Sequence, residues 1–73
     1  MISVGELLAV CREVKGLTLR EVEEATGISN AFLSQLENGK VSDMSFRRAV
    51  ILCDFYRIPV ERLAQKVREE GTP

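Results

Sequence analysis

The sequence predicts an all-α protein, a compact bundle of five short helices. Three observations carry this expectation. Apolar residues recur at spacings of three and four along the chain. Two boxes, S-V-G-E from Ser3 and T-L-R-E from Thr18, have the hydroxyl-then-glutamate spacing that starts a helix. Gly16, Gly27 and Gly39 each follow a helical segment, as helix terminators do. With 73 residues the chain forms one domain. Residues 1–68 are assigned to it and the tail E-E-G-T-P, residues 69–73, is expected to fray. A domain this small removes only about 60% of its unfolded surface from water, which implies a stability of roughly 4 to 11 kcal/mol.

The first helix opens at Ser3, with Glu6 closing the box and Leu7, Leu8, Cys11 and Val14 as the buried stripe; Gly16 ends it. The second pairs Thr18 with Glu21, turns Val22 and Ala25 inward and stops at Gly27. The third is capped by Ser29 and stopped at Gly39. A step of about 100° per residue puts Phe32, Leu33 and Leu36 on one side and Asn30, Ala31, Ser34, Gln35 and Asn38 on the other. That second face is wholly uncharged, whereas solvated helix faces usually carry Lys, Arg and Glu. The fourth helix runs from about Ser45 to Tyr56, with Phe46, Ala49, Val50, Cys53 and Tyr56 as its inward stripe. Ile51 and Phe55 lie on a different side and require a cover of their own. The fifth starts at Pro59, suited to a first helical position, with Val60, Leu63 and Val67 at helical spacing.

Apolar residues are 45% of the chain and charged residues 29%, the balance of a soluble globular protein. No apolar run approaches the roughly 18 residues of a membrane span, and the N-terminus, which has no basic start and carries Glu6 ahead of the apolar residues, does not read as a signal peptide, so a cytoplasmic protein is expected. Cys11 and Cys53 fall in apolar helical stripes without Cys-x-x-Cys spacing and read as small buried hydrophobes, not as metal or redox ligands. Histidine is absent, and no paired carboxylates, nucleophile arrangement or phosphate-cradling glycine loop replaces it. An enzyme is not expected, nor any cofactor or metal. The net charge of −1 is unusual for a nucleic-acid binder, so any such surface must be local.

Five short helices, with G-I-S between the second and third, resemble the phage-repressor (Xre, Cro and lambda-repressor-like) helix-turn-helix family. The resemblance runs from about Leu7 to Leu63 and rests on K-G-L-T-L-R-E-V, T-G-I-S, F-L-S-Q-L-E-N-G-K and F-Y-R-I-P-V-E-R-L at matching spacing. It implies that helices 2 and 3 form a helix-turn-helix in which helix 3 enters the major groove of double-stranded DNA. Carried onto this chain, the base-reading positions are Asn30, Ala31, Ser34 and Gln35. Asparagine and glutamine suit the paired donor and acceptor of adenine, and Ala31 suits a thymine methyl. Phosphate contacts fall to Arg20, Asn38 and Lys40. Arg12 and Glu37 match a pair that forms a structural salt bridge between helices 1 and 3.

The chain departs from the family pattern in three places. Leu19 stands where glutamine is frequent, with Arg20 beside it. Glu23 stands where a small residue normally packs between the two helices; its stem either lies along helix 3 with the carboxylate in water, or the carboxylate projects toward DNA and repels phosphate. Arg57 replaces a common glycine after helix 4, tolerable if that turn takes another conformation.

One helix reads too few base pairs to single out an operator, so the resemblance implies a two-fold symmetric homodimer on a palindrome. Candidate interface residues are Ile51, Phe55, Leu63 and Val67. The expected function is transcriptional regulation, repression above activation, by a bacterial or phage-encoded protein that occupies promoter DNA. Two alternatives stay open: a protein-interaction module that keeps the scaffold without DNA affinity, in keeping with the acidic second helix, and an antitoxin-type regulator that also binds a partner protein.

Overall fold

The computed structural model describes residues 2–41 and 43–71. Among these it contains five helices and no strand: α1 (Val4–Val14), α2 (Leu19–Thr26), α3 (Asn30–Glu37), α4 (Phe46–Tyr56) and α5 (Val60–Gly71). The all-α bundle follows from local signals. Ser3 Oγ accepts from the Glu6 amide while Glu6 returns a bond to the Ser3 amide, and Thr18 and Glu21 do the same for α2. Each box satisfies two backbone donors that a helix start would otherwise leave bare. Ser29 and Ser45 cap α3 and α4 through the amides of Phe32 and Arg48.

One core unites the five helices: Val4, Leu8, Val22, Ile28, Leu33, Leu36, Leu52, Cys53, Tyr56, Ile58 and Leu63. Helix α3 is central, packing on α1 and α2, while α4 packs on α2 and α5, and α1 reaches α5. At Gly5, α1 lies directly against the backbone of α3. A Cβ there would run into the carbonyl oxygen of Leu36, so the two backbones meet without an intervening side chain.

Several apolar residues lie elsewhere than their spacing predicts. Val14 is 82% exposed. It is the last residue of α1, and the buried stripe instead begins a turn earlier, at Val4 and Gly5, and passes through Leu8. Ala25 is exposed; Thr26 is half-buried in the last turn of α2. Phe46, at the first position of α4, is 78% exposed, and Leu52, at 0%, fills the core. The α4 stripe is therefore Ala49, Leu52, Cys53 and Tyr56, an i, i+3, i+4, i+7 set rotated away from Phe46 and Val50. A helix apolar around most of its circumference does not announce which side its neighbours cover.

The turn after α4 departs from expectation as well. Arg57 adopts the left-handed conformation (φ 58°, ψ 43°), the geometry a glycine would take, rather than an alternative turn. Helix α5 runs to Gly71, into the segment assigned to the tail; Thr72 and Pro73 lie outside the described residues. Both cysteines are free thiols; Cys53 is buried and Cys11 half-buried, and burial pushes both pKa values up. No helix among the described residues is long and apolar enough to cross a membrane.

Candidate nucleic-acid interface

The turn between α2 and α3 is built from three adjacent side chains and one glycine. Gly27 takes φ 79°, which only glycine adopts freely, and its amide donates to the Glu23 carbonyl at 2.8 Å. Thr26 Oγ1 donates to the Val22 carbonyl at 2.7 Å and accepts from the Ile28 amide at 3.2 Å, closing the C-terminal end of α2. Ile28 is buried between the helices, and Ser29 starts α3. With Val22, Leu33 and Leu36 also buried, the relative placement of α2 and α3 is fixed by packing.

The far end of α3 is fixed by charge. Arg12 Nε and Nη2 donate to the two carboxylate oxygens of Glu37, each at 2.9 Å, and Nη1 donates to the Leu17 carbonyl at 2.9 Å. The pair is mostly buried, and hydrogen bonding to Glu37 pushes the Arg12 pKa further up. This planar fork joins α1, α3 and the loop before α2 at one point.

The outward face left by this scaffold carries Asn30, Ala31, Ser34 and Gln35. Ala31 and Gln35 are exposed; Asn30 and Ser34 are half-buried. Asn30 Nδ2 donates to Glu23 Oε1 at 2.7 Å. One oxygen of the Glu23 carboxylate thus holds the amide at the front of the face. Asn38 Nδ2 donates to the Ser34 carbonyl at 2.8 Å and to Ser34 Oγ at 3.4 Å, so Asn38 also caps the end of α3. Arg20 and Lys40 are exposed at the two ends of the helix pair.

Two cations that the spacing did not single out stand beside this face. Arg47 and Arg48 occupy the first turn of α4, and with Ser45 and Ile51 they line a shallow hollow against Thr26, Gly27 and Ile28 of the turn. The Arg48 guanidinium lies over the Phe32 ring, 4.5 Å from its centroid, on the flank of α3. A sequence signal for them existed: cations in a helix's first turn oppose its dipole, and such placement calls for a compensating anion or ring.

The candidate interface residues fall in two places, Leu63 and Val67 along the cleft between α4 and α5, and Ile51 and Phe55 one turn apart elsewhere on α4. Leu63 is 4% exposed and fills the core of the single chain. Ile51 lines the hollow by the turn, and Phe55 sits under the Lys15 ammonium, 5.7 Å away. Val67 instead borders a cleft between α4 and α5, where Phe46 and Val60 are also exposed.

A capped helix pair at a fixed angle, with an uncharged polar face and flanking cations, defines the class of DNA-binding helix-turn-helix domains. A family model described as a helix-turn-helix domain matches residues 3–65. The chain belongs to that family, and its coarse role is that of a DNA-binding regulator. No curated protein and no solved structure matches the chain significantly.

Proposed function

We propose that the protein is a transcriptional repressor that occupies a palindromic operator as a homodimer, with α3 in the major groove of each half-site. The observation that carries this reading is the division of α3. Leu33 and Leu36 are buried and Glu37 is tied to Arg12, while Asn30, Ala31, Ser34 and Gln35 face outward without a charge among them. Such a face suits base edges: amides pair with adenine, and a methyl meets thymine. Arg20, Lys40, Asn38 and the Arg47–Arg48 pair supply phosphate contacts around it. The exposed trio Phe46, Val60 and Val67 supports self-association on the side formed by α4 and α5. Bound there, the dimer blocks polymerase by occupancy alone.

Selection from a random duplex pool tests the reading, with Gln35→Ala run beside the native chain. The expected result is an enriched palindrome that the variant loses or alters. With the four cations Arg20, Lys40, Arg47 and Arg48 of each subunit on phosphate, the log-log salt slope of the dimer is about −7. Absence of enrichment at low salt identifies a protein-interaction module instead, and a monomer on DNA in equilibrium sedimentation removes the dimer.

A further inference from the structure

The geometry points to Glu23 as a specificity-determining residue: with Asn30 it forms an acceptor surface that selects, at one position of each half-site, a base bearing a major-groove amino group. This inference rests on the DNA-binding reading above.

Asn30 is the first residue of α3, and the N-terminal residues of a recognition helix reach furthest toward base edges. An unconstrained asparagine there offers both a donor and an acceptor and rotates to suit the base. Here that freedom is removed. Nδ2 is held at 2.7 Å by Glu23 Oε1, a short charge-assisted bond between two half-buried side chains on different helices. The bond fixes the amide with its nitrogen toward Glu23, leaving Oδ1 on the other side. Among the described residues neither Asn30 Oδ1 nor Glu23 Oε2 has an intramolecular hydrogen bond. Two acceptors from neighbouring side chains are thus available at the front of the face, one of them the second oxygen of a carboxylate.

Base edges respond to such a surface differently. Cytosine N4 and adenine N6 donate hydrogen in the major groove, whereas guanine O6 and N7 and thymine O4 only accept. The pair therefore favours cytosine or adenine and rejects guanine and thymine through unpaired, like-signed acceptors.

Parallel selections from a random duplex pool with the native chain, Glu23→Gln, Glu23→Ala and Asn30→Ala test this, each variant first checked for an unchanged helical signal and thermal midpoint. Glu23→Gln keeps the shape and removes the charge, so it remains informative if Glu23→Ala folds poorly. The native motif should contain one position per half-site enriched in cytosine or adenine. Both Glu23 variants should reduce the preference at that position by about tenfold, the value of one good base contact, with Asn30→Ala acting on the same position and the others unchanged. Glu23 variants that leave this position as it was overturn the inference. A uniform change at every position also overturns it, since that is the mark of general phosphate repulsion. A native chain that enriches no motif overturns the DNA-binding reading itself, a result distinct from either.

Discussion

Gly5 of α1 lies against the carbonyl oxygen of Leu36 in α3, with no room for a side-chain carbon between them. At this point the two helices meet backbone to backbone. Alanine is the better helix former, and on propensity alone Gly5→Ala would stabilise α1 by about 1 kcal/mol. The collision is with backbone, however, so α1 must move bodily away. We expect Gly5→Ala to lower stability by about 1 to 3 kcal/mol, visible as a thermal midpoint roughly 5 to 20 °C lower by circular dichroism. An unchanged or raised midpoint would show that α1 is free to slide.

Arg12→Ala removes one partner of a mostly buried pair and strands the Glu37 carboxylate in the core's edge. The expected loss is about 2 to 4 kcal/mol, below that of a fully enclosed pair because the guanidinium touches solvent. Denaturant unfolding measures it directly. Arg12→Lys should recover little, because an ammonium cannot span both carboxylate oxygens and the Leu17 carbonyl at once.

Arg57→Gly should stabilise the protein. Arginine at φ 58° bears the steric cost of the left-handed region, about 1 to 2 kcal/mol, which glycine avoids. The greater freedom of glycine in the unfolded chain returns part of that gain, about 0.4 to 1 kcal/mol. A net rise in midpoint of a few degrees is expected.

Tyr56 reports the integrity of the core through pH. It is the one tyrosine in a chain without tryptophan, so its absorbance is unobscured. Burial pushes its pKa up to about 12, with the nearby Glu37 charge acting in the same direction. The folded state therefore holds the phenolic proton more tightly than the unfolded state, whose pKa is about 10. The resulting stabilisation, on the order of 2 to 3 kcal/mol, is complete below pH about 10 and is lost as pH rises from there toward about 12. Tyrosinate absorbance should titrate near 12 in buffer and near 10 in denaturant. Coincident curves would mean that the ring is open to water.

The helices were legible where their causes were local. Ser3 with Glu6 and Thr18 with Glu21 lie three residues apart, so spacing alone reveals the reciprocal bonds, and Gly27 announces its turn by having no Cβ. Contacts between distant segments were less legible. Gly5 reads as a weak helix residue until Leu36 is known to lie against it. Phe46 and Leu52 are equally apolar, and only the positions of α2 and α5 decide that Leu52 is the buried one. Glu23 read as an anomaly because its partner Asn30 lies across a turn. The residues of the outward α3 face were nominated by helical spacing and family resemblance, but the bonds that restrain two of them depend on side-chain directions that spacing does not carry.

The segregation of α3 into two faces also governs how this domain can change over time. Ala31 and Gln35 are exposed and make no side-chain bond to the rest of the fold, whereas Asn30 and Ser34 are engaged with Glu23 and Asn38. Substitutions at the first two positions break no such bond, so under the proposed function a lineage could explore new operators there one mutation at a time. A change at Asn30 also breaks its bond to Glu23, whereas the shorter Asn38 bond goes to the Ser34 backbone carbonyl and survives a change of the Ser34 side chain. Of the four positions, Asn30 is thus the one edited at a cost to a neighbour on another helix.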